Sequence, residues 1–480
     1  MSLHDSRLPA EYHVRLVDAR ADHLGYFDPA EGAVPNPGLG VSGYVVSDHM
    51  HVGYTEDEWQ RTEKDPPRPL DRASFDKMMG LPHLDNLYIR VEWRDVQKER
   101  GKLHLPESWK WMLDAVEETG KSWGFRIMPF SPHSIYPNGL PAFLQGRFEM
   151  KPYWRSQFSG GPKYFAHYTK DYLDYWQEFL FLLGEAFDNH PKLEFVDVSG
   201  FGFWGEFHHW GRFEGPESAF GNYEPDNSAE VVDRLIRDHL QAFPKTPAAL
   251  GVHAGEYPTG LEVFKQGLCW GRRDSFMTNY SPGEAMVSQG LTPGSGMVWE
   301  TIIPGVGCPV DGAVVEPGQY PLPQRFFDIQ AHYAAVGFNP WDMIWAHAHC
   351  RKTLEALEQN LGYRIRPSVI WKHRVGADGQ EIVLGLRNDG CSQVPGVLTL
   401  TAEFSNGQVV RLELPPGEPV PGRLYHARIP CEKAALGGFK GTVTFTLCLR
   451  MRGKTAPVQW AIATDDPVRR KVIEVPVALG

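Results

Sequence analysis

The chain has 480 residues, 42% of them hydrophobic and 22% charged, and a formal net charge of -11 at pH 7. That length exceeds one hydrophobic core, which stops growing near about 250–300 residues, so one large and one small domain are expected. The acidic balance argues against nucleic acid as a partner, because binding phosphates needs a basic face. No apolar run reaches the roughly 18 residues that span a bilayer, so no membrane partner is expected.

The 15 Trp and an aromatic share of 12% exceed what packing usually requires. Aromatic faces serve as stacking platforms for sugars, although core packing accounts for many such rings. Six Cys, at 269, 308, 350, 391, 431 and 448, include no C-x-x-C pair. They read as scattered core thiols, with a disulfide left open. Met1 to Arg20 is polar and charged, so no signal peptide is expected. Met1-Ser2-Leu3 could replace a native leader, which leaves cytoplasmic and secreted or periplasmic locations both open.

Along the chain, β-rich runs alternate with amphipathic segments, the pattern of β/α units around a parallel sheet. Strands are expected at Gly40–Ser47, Asn86–Trp93, Phe125–Phe130, Phe195–Ser199, Ala249–His253, Ser275–Tyr280, Met297–Thr301 and Met343–His347. Several are apolar on both faces, as buried parallel strands are. Helices are expected at Pro106–Trp123, Tyr172–Asn189, Glu230–Ala242, Leu261–Gln266, Gln324–Val336 and Arg351–Leu361. Eight such units make a (β/α)8 barrel over residues 1–363, N-terminal extension included. A long insertion, Ser131 to Lys170, leaves the third strand and carries Tyr136, Tyr153 and Trp154, which are expected to overhang the active face.

After Tyr363 the rhythm changes. Short strands are expected at Ser368–Val375, Glu381–Arg387, Gly396–Phe404, Val409–Leu414, Arg423–Ile429, Gly441–Arg450 and Val458–Ala463, separated by turns such as Asn388-Asp389-Gly390. This predicts an antiparallel β-sandwich over residues 364–480. It is expected to brace the barrel or mediate assembly, a homo-oligomer included, rather than to bind sugar.

Barrel enzymes carry their chemistry at the C-terminal ends of the strands. There, strand 4 leads into Trp204-Gly205-Glu206 and strand 7 ends Val298-Trp299-Glu300. Strands 4 and 7 face each other across the mouth. Cleaving a glycosidic bond takes one carboxylic acid to protonate the leaving oxygen and one carboxylate to attack or activate water. A structural salt bridge is the plainer reading of either residue. His133, His208, His209, His253, His347 and His349 also fall near expected strand ends. They could bind sugar hydroxyls, pack, or, for His347, His349 and His253 with Glu206, hold a metal.

This arrangement resembles the clan A glycoside hydrolases over roughly Gly38 to Tyr363. In that group an acid/base Glu follows strand 4 and a nucleophile Glu follows strand 7. The resemblance implies a retaining glycoside hydrolase without cofactor or metal and with a carbohydrate substrate. It assigns Glu206 as acid/base and Glu300 as nucleophile, with Arg90 and Tyr280 supporting Glu300. Trp93, His133, Trp204, His253, Trp299, Trp345 and His347 are expected to line the sugar pocket. One departure stands out: Gly205 occupies the position where most of the group has Asn.

Overall fold

The computed structural model describes residues 22–49, 70–131, 133–155, 162–207, 227–273, 292–302, 310–312, 330–337, 339–375, 379–432, 436–466 and 468–479. Eight parallel strands close into a barrel in sequence order: β1 Gly40–Val46, β2 Asn86–Glu92, β3 Ser122–Met128, β4 Leu193–Asp197, β5 Ala248–Gly251, β6 Trp270–Arg273, β7 Met297–Ile302 and β8 Tyr333–Val336. Helices cover the outside, among them Glu107–Thr119, Lys170–Phe187, Ser228–Ala242 and Pro258–Lys265. Among the described residues, no helix is long and apolar enough to cross a membrane.

Local chemistry explains the boundaries. Helix Glu107–Thr119 starts after Pro106 and buries Trp109, Met112 and Val116 on one stripe. It stops at Gly120, whose φ of 70° is left-handed, a conformation that glycine adopts without strain. The helix therefore ends before Trp123, which belongs to β3. Thr169 caps Lys170–Phe187 by accepting from the Tyr172 amide, the usual device for an unpaired N-terminal donor.

Two strands differ from the sequence expectation. The sixth is Trp270–Arg273, and the expected segment Ser275–Tyr280 lies outside the described residues. The eighth is Tyr333–Val336, inside a run read as helix. Met343–His347 is instead part of the helix Pro340–His349, which is capped by Asn339 and has Pro at its first turn. Apolar residues in Trp341-Asp342-Met343-Ile344-Trp345 fit strand and helix equally, and the cap decides.

The C-terminal part is a two-sheet sandwich. One sheet orders Asp22–Tyr26, Ile365–Val375, Gly379–Asn388 and Leu424–Cys431. The other orders Val409–Glu413, Val397–Phe404, Lys440–Met451 and Lys454–Val458, with Ile473–Ala478 also paired to Lys440–Met451. Leu398, Leu400, Ala402 and Phe404 alternate inward against the same core as Ile382, Leu384 and Leu386. Asp22–Tyr26 and Ile473–Ala478 were not foreseen, and the expected strand Val458–Ala463 is replaced by Lys454–Val458. The five described cysteines are free thiols, four of them buried.

The sandwich covers the N-terminal end of the barrel. Arg452 donates to the Leu240, Pro244 and Leu268 carbonyls. Lys454 Nζ donates to the His190 and Leu193 carbonyls at 3.0 and 2.8 Å and to Thr246 Oγ1 at 2.7 Å. Apart from Leu240, in the last turn of the helix Ser228–Ala242, these acceptors sit just before barrel strands or at the start of one, which places this turn at the N-terminal end of the barrel. Replacing Lys454 with Met leaves three oxygens short of a donor. We expect Lys454→Met to lose about 1–3 kcal/mol in urea unfolding, and an unchanged midpoint would show that the contact does not brace the two parts.

Candidate active site

Alternation along the strands decides which side chains enter the barrel. On β2, Leu87, Ile89 and Val91 pack into the outer shell under the helices, whereas Tyr88, Arg90 and Glu92 are directed inward. Tyr44 on β1, Arg126 on β3, Asp197 on β4, Arg272 on β6 and Glu300 on β7 meet them inside. Glu206 joins from the turn that follows β4.

These groups form one buried ionic cluster. Arg126 grips Glu300 with two nitrogens, Nη1 to Oε1 at 2.8 Å and Nη2 to Oε2 at 2.9 Å. The same Nη1 is 2.8 Å from Glu206 Oε1. Arg272 Nη1 also donates to both carboxylates, at 3.3 Å for Glu206. Arg90 Nη1 lies 3.3 Å from Glu300 Oε2. The Tyr44 hydroxyl donates to Glu300 at 3.3 Å, and the Tyr88 hydroxyl, whose one proton is shared with the closer Asp197, lies at the same distance. Glu206 Oε1 and Glu300 Oε1 are therefore no farther apart than twice 2.8 Å. Both residues are buried, at 2% and 0% exposed. Burial alone would push the Glu300 pKa up, but Arg126, Arg272 and Arg90 outweigh it and hold the carboxyl below its usual range, against the opposing charge of Glu206.

Glu206 is presented by a strained turn. Trp204 and Phe207 have φ of 51° and 63°, a region that costs non-glycine residues on the order of 1–3 kcal/mol and clusters at functional sites. Gly205 has φ +76°, and a Cβ there would meet Ser199 Cβ at 2.8 Å. The departure noted in the sequence thus has a steric cause: this turn has no room for Asn.

The remaining expected site residues divide. Arg90 reaches Glu300 as described. Trp204 is partly buried at the mouth and its ring lies 5.5 Å from that of His133, so these two come together. His253 follows β5 in a short helical turn, with Nδ1 3.9 Å from Glu256. Tyr280, His208 and His209 lie outside the described residues, as do the side chains of Tyr153 and Trp154. Tyr136 packs edge-on against His49, and the Arg94 guanidinium lies over the Tyr136 ring, 3.6 Å from its centre.

Four placements need correction. Trp93 faces outward and is buried against Tyr172, Trp176 and Phe179. Trp299, one residue from Glu300, faces the outer shell by strand alternation. Trp345 and His347 are on the helix Pro340–His349 and not at a strand end. There the Trp345 ring lies tilted against His349 and the His347 ring tilted against His83, which precedes β2 at the N-terminal end of the barrel. Among the described residues no group of three or more His, Cys, Asp or Glu is arranged to hold a metal.

Sequence reasoning missed Arg126, Arg272, Asp197, Tyr44 and Tyr88. A signal existed for Arg126, a lone charge within the apolar run Phe125-Arg126-Ile127. It also missed a pair on the rim: His49 Nε2 is 2.7 Å from the fully buried Glu92, which also accepts from Ser134. Burial would lower the His49 pKa, but its hydrogen bond to Glu92 and the charges of Glu92 and Asp95 raise it.

No family model and no curated protein matches the sequence. Solved structures with low likeness include the catalytic domain of a β-amylase from Paenibacillus polymyxa, at 11% identity over 62% of this chain and 91% of that one, with a TM-score of 0.37. An endo-β-1,4-mannanase from Thermotoga petrophila is similar at 12% identity over 94% and 98%, with a TM-score of 0.35. Endo-glycoceramidase II from Rhodococcus sp. is similar at 12% identity over 82% and 98%, with a TM-score of 0.37. Likeness at this level adds nothing to what the closed strand order shows by itself.

Removing one cation from such a cluster strands buried charge. Arg126→Leu should lose about 3–5 kcal/mol of stability at pH 7. Without the guanidinium, the buried carboxyls have folded pKa values above their unfolded ones, so stability is lost as pH rises through the folded values. The deficit measured by denaturant unfolding should therefore be smaller at pH 5 than at pH 7, and a deficit that grows at pH 5 contradicts this account.

Proposed function

We propose that the protein is a retaining glycoside hydrolase in which Glu300 is the nucleophile and Glu206 the general acid and base. The observation that supports this reading is the shared Arg126 nitrogen, which keeps one oxygen of each carboxyl within twice 2.8 Å of one oxygen of the other. Retaining enzymes need about 5–5.5 Å between the pair, whereas inverting ones need about 6.5–9.5 Å to fit a water. The environments of the two also differ: Glu300 lies against three guanidiniums and two tyrosine hydroxyls and is held ionised, as a nucleophile must be.

In the first step Glu300 attacks the anomeric carbon while Glu206 gives its proton to the departing oxygen. In the second, Glu206 takes a proton from water, which displaces Glu300 and restores it. Trp204 and His133 at the mouth supply a ring surface for the sugar. Residues 1–363 carry the chemistry in this reading and residues 364–480 are accessory, a division supported by every cluster residue lying before position 364.

A panel of aryl glycosides tests the activity, and NMR of the first-formed sugar reads its anomer. Glu300→Ala should lose nearly all activity on every substrate. Glu206→Ala should lose about 10²–10⁴-fold on alkyl or sugar leaving groups and far less on a dinitrophenyl group. Azide should give a product of the substrate's own configuration with Glu206→Ala and the inverted one with Glu300→Ala. Wild-type rates for Glu206→Ala on poor leaving groups would make Glu206 structural. Binding without hydrolysis across the panel would favour a glycan-binding protein, and loss of activity to a chelator would favour a metal-dependent hydrolase.

A further inference from the structure

Arg126 and Arg272 each lie against three carboxyl groups, and only two of these take part in the proposed chemistry. The third is Asp197 at the end of β4, which is 1% exposed. Its Oδ2 lies 3.2 Å from Arg272 Nε and 3.7 Å from Arg126 Nη1, and it accepts the Tyr88 hydroxyl. Its Oδ1 has no hydrogen-bond partner among the described residues. We propose that Asp197 is a positioning residue that keeps Glu206 in its acid form at higher pH, because its carboxylate competes with Glu206 for Arg126 and Arg272. This rests on Glu206 being the acid.

The need for such a group follows from the cluster itself. A carboxyl that touches two guanidiniums loses its proton more readily, which is the wrong direction for a general acid. A buried anion behind the same guanidiniums offsets that pull. Glu300 is the other anion on these guanidiniums, and among the described residues Asp197 is the one carboxyl on them that takes no part in the proposed chemistry. β1 contributes Tyr44, β2 contributes Tyr88 and Arg90, β3 Arg126, β6 Arg272 and β7 Glu300. β5 brings only Ala249 and Gly251, and Tyr333 on β8 is paired with Glu194. Burial, against Arg272 and Arg126, raises the Asp197 pKa to about 7. Its charge is therefore absent at acid pH and present above neutrality, where an acid is hardest to keep protonated.

The test is Asp197→Asn, which keeps the shape and removes the charge. In kcat/KM against pH, the alkaline limb should move to lower pH by about one unit, and the acid limb should stay, because Asp197 is already neutral there. A uniform loss of rate with both limbs in place, or equal movement of both, overturns the proposal. Carboxyl NMR titration of Glu206, assigned with Glu206→Gln, reads the same coupling without substrate. Its midpoint should fall in Asp197→Asn, and an unchanged midpoint overturns the proposal even if the chain hydrolyses glycosides. If the wild-type chain hydrolyses none, the functional reading fails separately while the titration still judges the coupling. If Asp197→Asn does not fold, the wild-type Glu206 curve decides: it should have a second inflection where Asp197 titrates, and a single-step curve overturns the idea.

Discussion

Burying ionised groups is the costliest thing this barrel does, and the rest of its interior is arranged around that cost. A lone charge in an apolar interior is disfavoured strongly enough to neutralise itself instead, so buried charges persist only when paired and hydrogen-bonded. Here three guanidiniums face Glu206, Glu300 and Asp197 within one chamber. Arg90 and Arg126 are register partners on adjacent strands, a repulsive placement that only the carboxylates between them make tolerable. Tyr44 donates to Glu300, and Tyr88 shares its one proton between Glu300 and Asp197. The alternation that aims these groups inward also sends Leu87, Ile89, Val91 and Trp299 outward, so the polar chamber and part of the apolar shell come from the same strands.

The location of the chamber follows from what closes the other end. The inward residues lower in the barrel, Phe195, Trp270 and Tyr333, join one continuous apolar core with the sandwich. The turn carrying Arg452 and Lys454 occupies carbonyls before β4 and β6 and around the start of β5. Apolar packing and these hydrogen bonds together cover that end of the barrel. The glutamates stand at the C-terminal ends of β4 and β7, where connecting loops can vary without disturbing the sheet.

The barrel, the sandwich and the two glutamates were legible because each rests on local signals: alternating β and α segments, turn chemistry, and a carboxylate at a strand end. What was not legible has physical causes. The short apolar run at Met343–His347 fits both periods, and only the Asn339 cap with Pro340 makes it helical. That one misplacement carried Trp345 and His347 to the wrong end of the barrel. The sixth strand was sought after Trp270–Arg273, which hid Arg272. Sequence adjacency puts Trp93 and Trp299 beside acidic neighbours, but Trp299 faces the other way from Glu300 along its strand, and Trp93 begins a short helix, Trp93–Val96, after β2 has ended. Asp197 and the tyrosines give no signal until the closed barrel brings eight strands to one axis.

The turn before Glu206 shows how far backbone geometry constrains chemistry at this site. To carry Glu206 from the end of β4 to Arg126 and Arg272, the chain takes left-handed conformations at Gly202, Trp204, Gly205 and Phe207. Glycine absorbs two of them without cost. The other two fall on large aromatic residues held by packing, Phe207 at 1% exposure, which is how such strain persists. At Gly205 the conformation disfavours a side chain and the contact with Ser199 leaves no room for one. A side chain there and this path to the guanidiniums are mutually exclusive. Polar groups that meet a molecule beside Glu206 must therefore come from other elements of the rim rather than from the residue that precedes this glutamate.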